Sequence, residues 1–264
     1  MNKNLILLPA LLFFAMPMVV QAQFDYTVTN GSITIMDYTG PAQAVTVPAT
    51  IGGLPVTSIG EWAFVNSTVV PSVMLPGSIT GIGEFAFVDC SNLLSVTFSE
   101  GLATIGNGAF YDCYTLTNLI IPASVTNIGV YAFGSCIGLK SILFLGNAPT
   151  ASFDAFVTDD IYTHVVACYL PGTTGWSNTF CGISAVLWNP AIQTTGPNFG
   201  PQNGQFGFDV TGNPNLPVVV EFCTNLTTPV WTPLQSLTLT NGLYHFSEPF
   251  QPDAPARYYG LGFP

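Results

Sequence analysis

The chain has 264 residues, of which only 3 are Lys or Arg against 14 Asp or Glu, giving a net charge of −11. That balance excludes nucleic acid as a partner, because neutralising phosphates takes several cations on one face. It disfavours acidic membranes and acidic polymers for the same reason. Hydrophobic residues make up 48% of the chain, too many for a disordered polymer, and the length suffices for one or two domains with a real core.

Residues 1–22 read as a cleavable signal peptide: Lys3, an apolar run from Leu5 to Val20, then Val20, Gln21 and Ala22 ahead of Gln23. A membrane anchor is the alternative, but the run is about 16 residues, interrupted by Pro9 and Pro17, against roughly 20 needed to span a bilayer. No Cys lies near the cut to carry a lipid, and no second long apolar run follows. The expected location is secreted or at the cell surface, without a transmembrane segment after cleavage. The basic residues then remaining are Lys140 and Arg257.

Residues 23–58 hold short alternating runs around Tyr26, Ile33 and Val45, separated by Asn-Gly and Gly-Pro turn signals. They predict an N-terminal β cap leading into a first coil, since a bare solenoid end would expose apolar surface and open strand edges.

From there an internal period dominates. Ala-Phe recurs at Ala63-Phe64, Ala86-Phe87, Ala109-Phe110, Ala132-Phe133 and Ala155-Phe156, every 23 residues. In register with it stand Ile59, Ile82, Ile105 and Ile128, each followed by Gly, then Cys90, Cys113 and Cys136, then Val70, Leu93, Leu116 and Leu139. The units close on alternating apolar pairs, Val73 with Leu75, Val96 with Phe98, Leu119 with Ile121 and Ile142 with Phe144. Alternation of period two marks a short strand with one buried face. The Gly after each Ile implies a turn or a close approach that a β-carbon would obstruct. No unit can bury its own apolar face, so stacked units must share a core with the Phe rings in one interior column. Paired helices are ruled out by the period and by the shortness of the unit.

The pattern I-G-x-x-A-F-x-x-C-x-x-L over about residues 45–156 resembles the bacterial surface-antigen class of leucine-rich repeats, called BspA-like. The resemblance implies a right-handed β-solenoid of 23-residue repeats with parallel strands on one face and short helical turns. It also implies a place among secreted or cell-surface binding proteins. The stretch from Asn147 to Trp176 resembles the end of such repeat arrays.

The fifth unit has lost its Ile-Gly and carries Asp159 at the Cys position, which predicts the C-terminal cap of a solenoid spanning 59–188, with a last strand over 164–170. Residues 189–203, rich in Pro, Gly, Thr and Gln, read as a linker. Beyond it, strand-like runs at 204–211, 218–223, 231–240, 244–248 and 257–263 predict a small antiparallel β-sandwich over 204–264. The segment around Cys223 and Trp231, with the closing Tyr258-Tyr259, resembles a β-module attached to many secreted bacterial repeat proteins. Sorting or surface retention is a hypothesis for it.

The three Cys in register read as small buried thiols, lacking any basic neighbour that would activate them. Cys168 and Cys181 are the candidate disulfide for an oxidising compartment, and Cys223 has no obvious partner.

Chemistry-bearing residues are few. His164 and His245 fall in different parts of the chain, so neither a His-rich metal cluster nor a His–Asp relay within one domain is evident. No nucleophile elbow, zincin, P-loop or dinucleotide fingerprint is present. Adjacent Asp159 and Asp160 would point to opposite faces if extended, and Glu61 and Glu84 occupy equivalent turn positions that read as a solvated rim. No loop has the ligand density of a calcium site, and no metal or cofactor is expected.

What remains is surface. On the repeat strands the residues between buried ones should face out: Ser72 and Met74, Ser95 and Thr97, Asn118 and Ile120, Ser141 and Leu143. Stacked, they form a candidate ligand-binding stripe about 25 Å long at roughly 4.8 Å per strand. Its area of about 400 Å² is half the usual 800 Å² or so per partner, which fits weak, multivalent contact with an extracellular protein or glycan. The expected function is a non-enzymatic binding or adhesion scaffold. A carbohydrate-active enzyme or accessory module, and a structural envelope or matrix component, stand as alternatives.

Overall fold

The structure is a computed structural model that describes residues 23–157, 165–250 and 255–264. The first 22 residues, Asp159, Asp160 and His164 lie outside the described residues, so the signal peptide and any role of these side chains rest on sequence alone. The described residues are mainly strands, turns and irregular connections; the first four Ala-Phe segments are turns, and the fifth, Ala155-Phe156, lies in the short 3₁₀ helix Phe153–Phe156.

The chain coils as a β-solenoid, and successive coils pair in parallel along two faces instead of one. On one face Ile59, Ile82, Ile105, Ile128 and Ala151 follow each other in register. On the other, Val45–Thr46, Ser72–Met74 and Ser95–Thr97 form one short parallel sheet. Asn118–Ile121, Ser141–Phe144, Val166–Tyr169 and Ile183–Leu187 form the next.

Between the two faces every coil also bonds to the next through its Ala-Phe turn. The amides of Phe64, Phe87, Phe110 and Phe133 donate to the carbonyls of Ala86, Ala109, Ala132 and Ala155 at 2.7–2.8 Å. This close approach accounts for the Ile-Gly pair. A β-carbon on Gly83 would stand 2.7 Å from the backbone of Gly60, and one on Gly106 would stand 2.7 Å from Gly83.

The interior column forms as the period requires. Rings of Tyr38, Phe64, Phe87, Phe110, Phe133 and Phe156 stack at centroid separations of 5.4, 4.6, 5.0, 5.3 and 5.6 Å. Each fully buried ring contributes roughly 1.5–3 kcal/mol of apolar burial. Beside it the thiols of Cys90, Cys113 and Cys136 donate to the carbonyls of Phe64, Phe87 and Phe110 at 3.0, 3.1 and 3.0 Å. A thiol at this place fills the core while its S–H engages a carbonyl of the preceding coil.

Both ends are closed. Phe24–Thr29 and Ser32–Tyr38 make an antiparallel hairpin through Asn30-Gly31, both at positive φ, and the second strand joins the first face in parallel. At the other end Tyr169 stacks on Trp176 at 5.0 Å, and Trp176, Phe144 and Phe180 pack together. The last strand expected over 164–170 is Val166–Tyr169, and Ile183–Leu187 adds one more coil beyond it.

Residues 189–203 are no linker. Ala191–Gln193 and Gly200–Gln202 pair with Gln205–Thr211, which also pairs with Leu243–Pro249. A second sheet holds Thr232–Leu239, Leu216–Cys223 and Tyr258–Gly262. The two sheets share one core, with Phe208, Val210 and Phe246 from the first meeting Leu216, Val218, Val220 and Leu239 from the second, as in a β-sandwich. Leu143 and Cys168 of the solenoid belong to this same core. Trp188 Nε1 donates to the Pro217 carbonyl at 3.1 Å and Asn213 Nδ2 to the Leu187 carbonyl at 3.1 Å. The module is therefore seated on the outer face of the last coils.

Candidate functional site: an open strand face and an aromatic cleft

Six of the eight stripe residues face outward as expected. Met74 is 51% exposed and Ile120 44%, Ser95 and Thr97 are exposed, and Ser72 and Asn118 are half-buried. Strand pairing along the stripe is broken between Ser95–Thr97 and Asn118–Ile121, which lie in separate sheets.

The other two residues are corrected by the structure. Leu143 is buried because the C-terminal module covers it, and Ser141 on the same strand is buried as well. The Ser141 hydroxyl donates to Asn118 Oδ1 at 2.7 Å, so the buried end of the stripe is tied to its open part. The free stripe is thus three coils long.

The Cys168–Cys181 bridge is also absent, and both residues are free thiols. Cys168 points outward into the core shared with the module, whereas Cys181 sits in the turn at Phe180 and packs against the solenoid interior. The two side chains lie on opposite faces of one sheet. Burial pushes the Cys168 thiol up to about 12 and the Cys181 thiol up to about 11. The ladder thiols Cys90 and Cys113 are also raised, first by the neighbouring thiol of the ladder and then by burial.

A His–Asp pair that the sequence did not reveal lies in the module. Asp209 and His245 are opposite each other on paired strands, with His245 Nδ1 2.9 Å from Asp209 Oδ1. Asn198 Nδ2 donates to both carboxylate oxygens at 3.2 and 2.9 Å. The Asn198 amide, and then His245, hold the Asp209 carboxyl below the usual carboxylate range. The contact ties together the two paired strands that carry Asp209 and His245.

A second feature missed in the sequence is a cleft of about 660 Å³ on the Ala-Phe edge, lined by Glu84, Phe85, Asn107, Tyr111, Tyr131 and Ser135 among others. Its origin is local. Trp62, Phe85, Gly108 and Tyr131 occupy one position of successive repeats, at φ of 60, 51, 56 and 53°. The Trp62 and Phe85 rings stack at 4.6 Å, but Gly108 supplies no ring, and Phe85 leans across it, 2.3 Å from where a β-carbon would stand. Gly134 similarly lies under the Tyr111 ring, 2.7 Å from its absent β-carbon. Two missing side chains in adjacent columns open the cleft, and Tyr111 and Tyr131 meet edge to face across it at 6.3 Å. The sequence signal was the pair of glycines where neighbouring repeats carry large residues.

Of the rim carboxylates, Glu61 Oε1 accepts from Trp62 Nε1 at 2.7 Å, and Glu84 Oε1 accepts from Asn107 Nδ2 at 2.8 Å. Asn107 Oδ1 accepts from the Val130 amide at 2.9 Å, which orients the side-chain amide. Asp89, Asp112 and Ser135 continue a neighbouring column, each at positive φ. Burial, with Asp89 beside it, pushes the Asp112 carboxyl up. Among the described residues no group of His, Cys, Asp and Glu is arranged to hold a metal ion.

Residues 43–166 match the family described as BspA type Leucine rich repeat region, in 6 copies. A Treponema pallidum leucine-rich-repeat protein of known structure is 24% identical, covering 56% of this chain and 84% of that one at a TM-score of 0.40. A leucine-rich-repeat protein from Bacteroides capillosus is 30% identical over 47% of this chain and 95% of that one, at 0.41. The pneumococcal vaccine antigen PcpA is 16% identical over 63% and 48%, at 0.45. No curated protein sequence matches the chain. With its six repeat copies in register and its stacked coils, the chain belongs to the BspA-type leucine-rich-repeat family.

Proposed function

We propose that the protein is a secreted or cell-surface scaffold that binds an extracellular protein or glycan through the free strand stripe of Ser72, Met74, Ser95, Thr97, Asn118 and Ile120. The observation that carries this reading is the fate of the same stripe one coil further on. There Leu143, equivalent to Ile120, is already a docking residue, buried at 5% exposure against the module's core. The strand face is therefore of a kind that accepts a partner, and three coils of it are open. Small polar residues beside Met74 and Ile120 supply hydrogen bonds around an apolar centre, the usual anatomy of a modest interface.

The family and the signal-peptide pattern of residues 1–22 support this location. Among the described residues no helix is long and apolar enough to cross a membrane. Three strands at roughly 4.8 Å give a contact about 15 Å long, far short of a standard interface, so binding is weak per molecule and gains from multivalency.

The test is binding of the chain, displayed multivalently, to panels of matrix proteins and glycans. The paired change Met74→Asp and Ile120→Asp should abolish the signal while leaving the unfolding transition in place. Unchanged binding by that variant would sink the stripe as the contact surface.

A further inference from the structure

The Ala-Phe cleft shares no residue with the stripe, and its lining has a chemistry of its own. Phe85, Tyr111 and Tyr131 present aromatic surface. Glu84 brings a carboxylate whose Oε1 is held by Asn107, and it makes no ion pair among the described residues. Asp112 flanks the cleft beside Ser135, and among the described residues no cation pairs with either carboxylate.

The same molecule shows what such a donor set holds. In the module the Arg257 guanidinium carbon lies 4.4 Å from the centre of the Phe222 ring. Its Nη1 donates to both Glu248 oxygens at 2.8 and 2.7 Å, and the Tyr259 hydroxyl completes the carboxylate's shell at 2.5 Å. Ring, carboxylate and phenol recur in the cleft as Phe85 or Tyr131, Glu84 and Tyr111, with no guanidinium among them.

We propose that the cleft receives an arginine side chain from a basic extracellular protein partner. The guanidinium plane is recognised by stacking on an aromatic face and by a carboxylate at its edge. The volume of about 660 Å³ lies within the range that takes a ligand larger than one side chain, so part of the partner's backbone enters too. Charge complementarity selects this occupant. A chain of net charge −11 draws a cationic segment toward it, whereas a neutral sugar, which could also stack, gains nothing from Glu84's charge or from the field.

The experiment titrates the full chain with a tetra-arginine peptide and with the same peptide built from citrulline, neutral and nearly isosteric, following binding by calorimetry at low salt. The arginine peptide should bind at least about tenfold more tightly than the citrulline peptide and weaken as salt rises. Glu84→Gln, an exposed and shape-conserving change, should lower affinity about fivefold to tenfold. Tyr131→Gly, which removes a wall at a positive φ that glycine adopts freely, should do the same. The stripe change Met74→Asp should leave peptide binding as it was, so the result bears on the cleft alone. Equal binding of the two peptides, an unaffected Glu84→Gln variant, tighter binding of the neutral sugar cellotetraose, or no binding at millimolar peptide would each overturn the proposal.

Discussion

Leu143 and Cys168 stand opposite each other on adjacent parallel strands of the solenoid, and both project away from its interior into the core of the C-terminal module. Two bodies that look separate in sequence are joined through this pair, and the joint decides which part of the strand face is free.

The first prediction contrasts two equivalent positions. Leu143→Ala should cost about 2–5 kcal/mol, the range for an apolar side chain removed from a packed core. Ile120→Ala, one coil earlier and 44% exposed, should change stability by no more than about 0.5 kcal/mol. Denaturant unfolding of both variants checks this, and similar costs at the two sites would mean that the module does not rest on the solenoid.

Thiol chemistry provides a second check on the same joint. All six cysteines are free, and Cys181 alone is not fully buried. At pH 8 an alkylating reagent followed by mass spectrometry should modify Cys181 first, although its raised pKa, about 11, keeps the rate slow. Cys168, buried and raised to about 12, should react only when the module is loosened, for example in Leu143→Ala. If Cys168 and Cys181 both stayed protected until a reductant was added, a bridge would join them in solution.

The solenoid was legible because its physics is periodic: the Phe column, the Ile ladder and the Gly contacts each repeat every 23 residues, and any one of them gives the coil. The joint was not legible, since Leu143 alternates with its neighbours in the same way as Ile120 and only a distant segment buries it. The cleft hid for the opposite reason. Gly108 and Gly134 make it by lacking side chains, and an absence leaves little mark on a hydrophobic pattern. Asp209 and His245, 36 residues apart, meet through strand register, which no local motif encodes. Composition misled at 189–203, where Pro and Gly flank strands only three residues long.

Coil spacing can be tested at Gly106. It has no need of a positive φ, so Gly106→Ala acts through contact alone, placing a methyl 2.7 Å from the backbone of Gly83. Forcing the coils apart there should cost about 1–3 kcal/mol, as for other overpacked sites. Phe110→Ala should cost more, about 3–5 kcal/mol, because it opens a void between two stacked rings. Thermal or denaturant midpoints of the two variants measure the order, and a neutral Gly106→Ala would show that the coils have slack.

Asp112 gives a prediction with a pH sign. Burial, aided by the charge of Asp89, raises its folded pKa, and interactions with Tyr114 and Ser135 offset this only in part. A carboxyl raised on folding favours the native state below its unfolded value of about 3.9, and that advantage is lost as pH rises through the folded value. At pH 7 the ionised group therefore opposes folding. Asn accepts the positive φ of 62° that Asp112 adopts, so Asp112→Asn should stabilise the chain at pH 7, by less than about 1 kcal/mol given solvent screening. The gain should vanish near pH 3, where the wild-type carboxyl is protonated in both states. Unfolding free energies of the two proteins across pH 3–7 decide it: a gain that is constant with pH would assign the effect to backbone conformation, and a loss at pH 7 would mean that the carboxylate holds this column together.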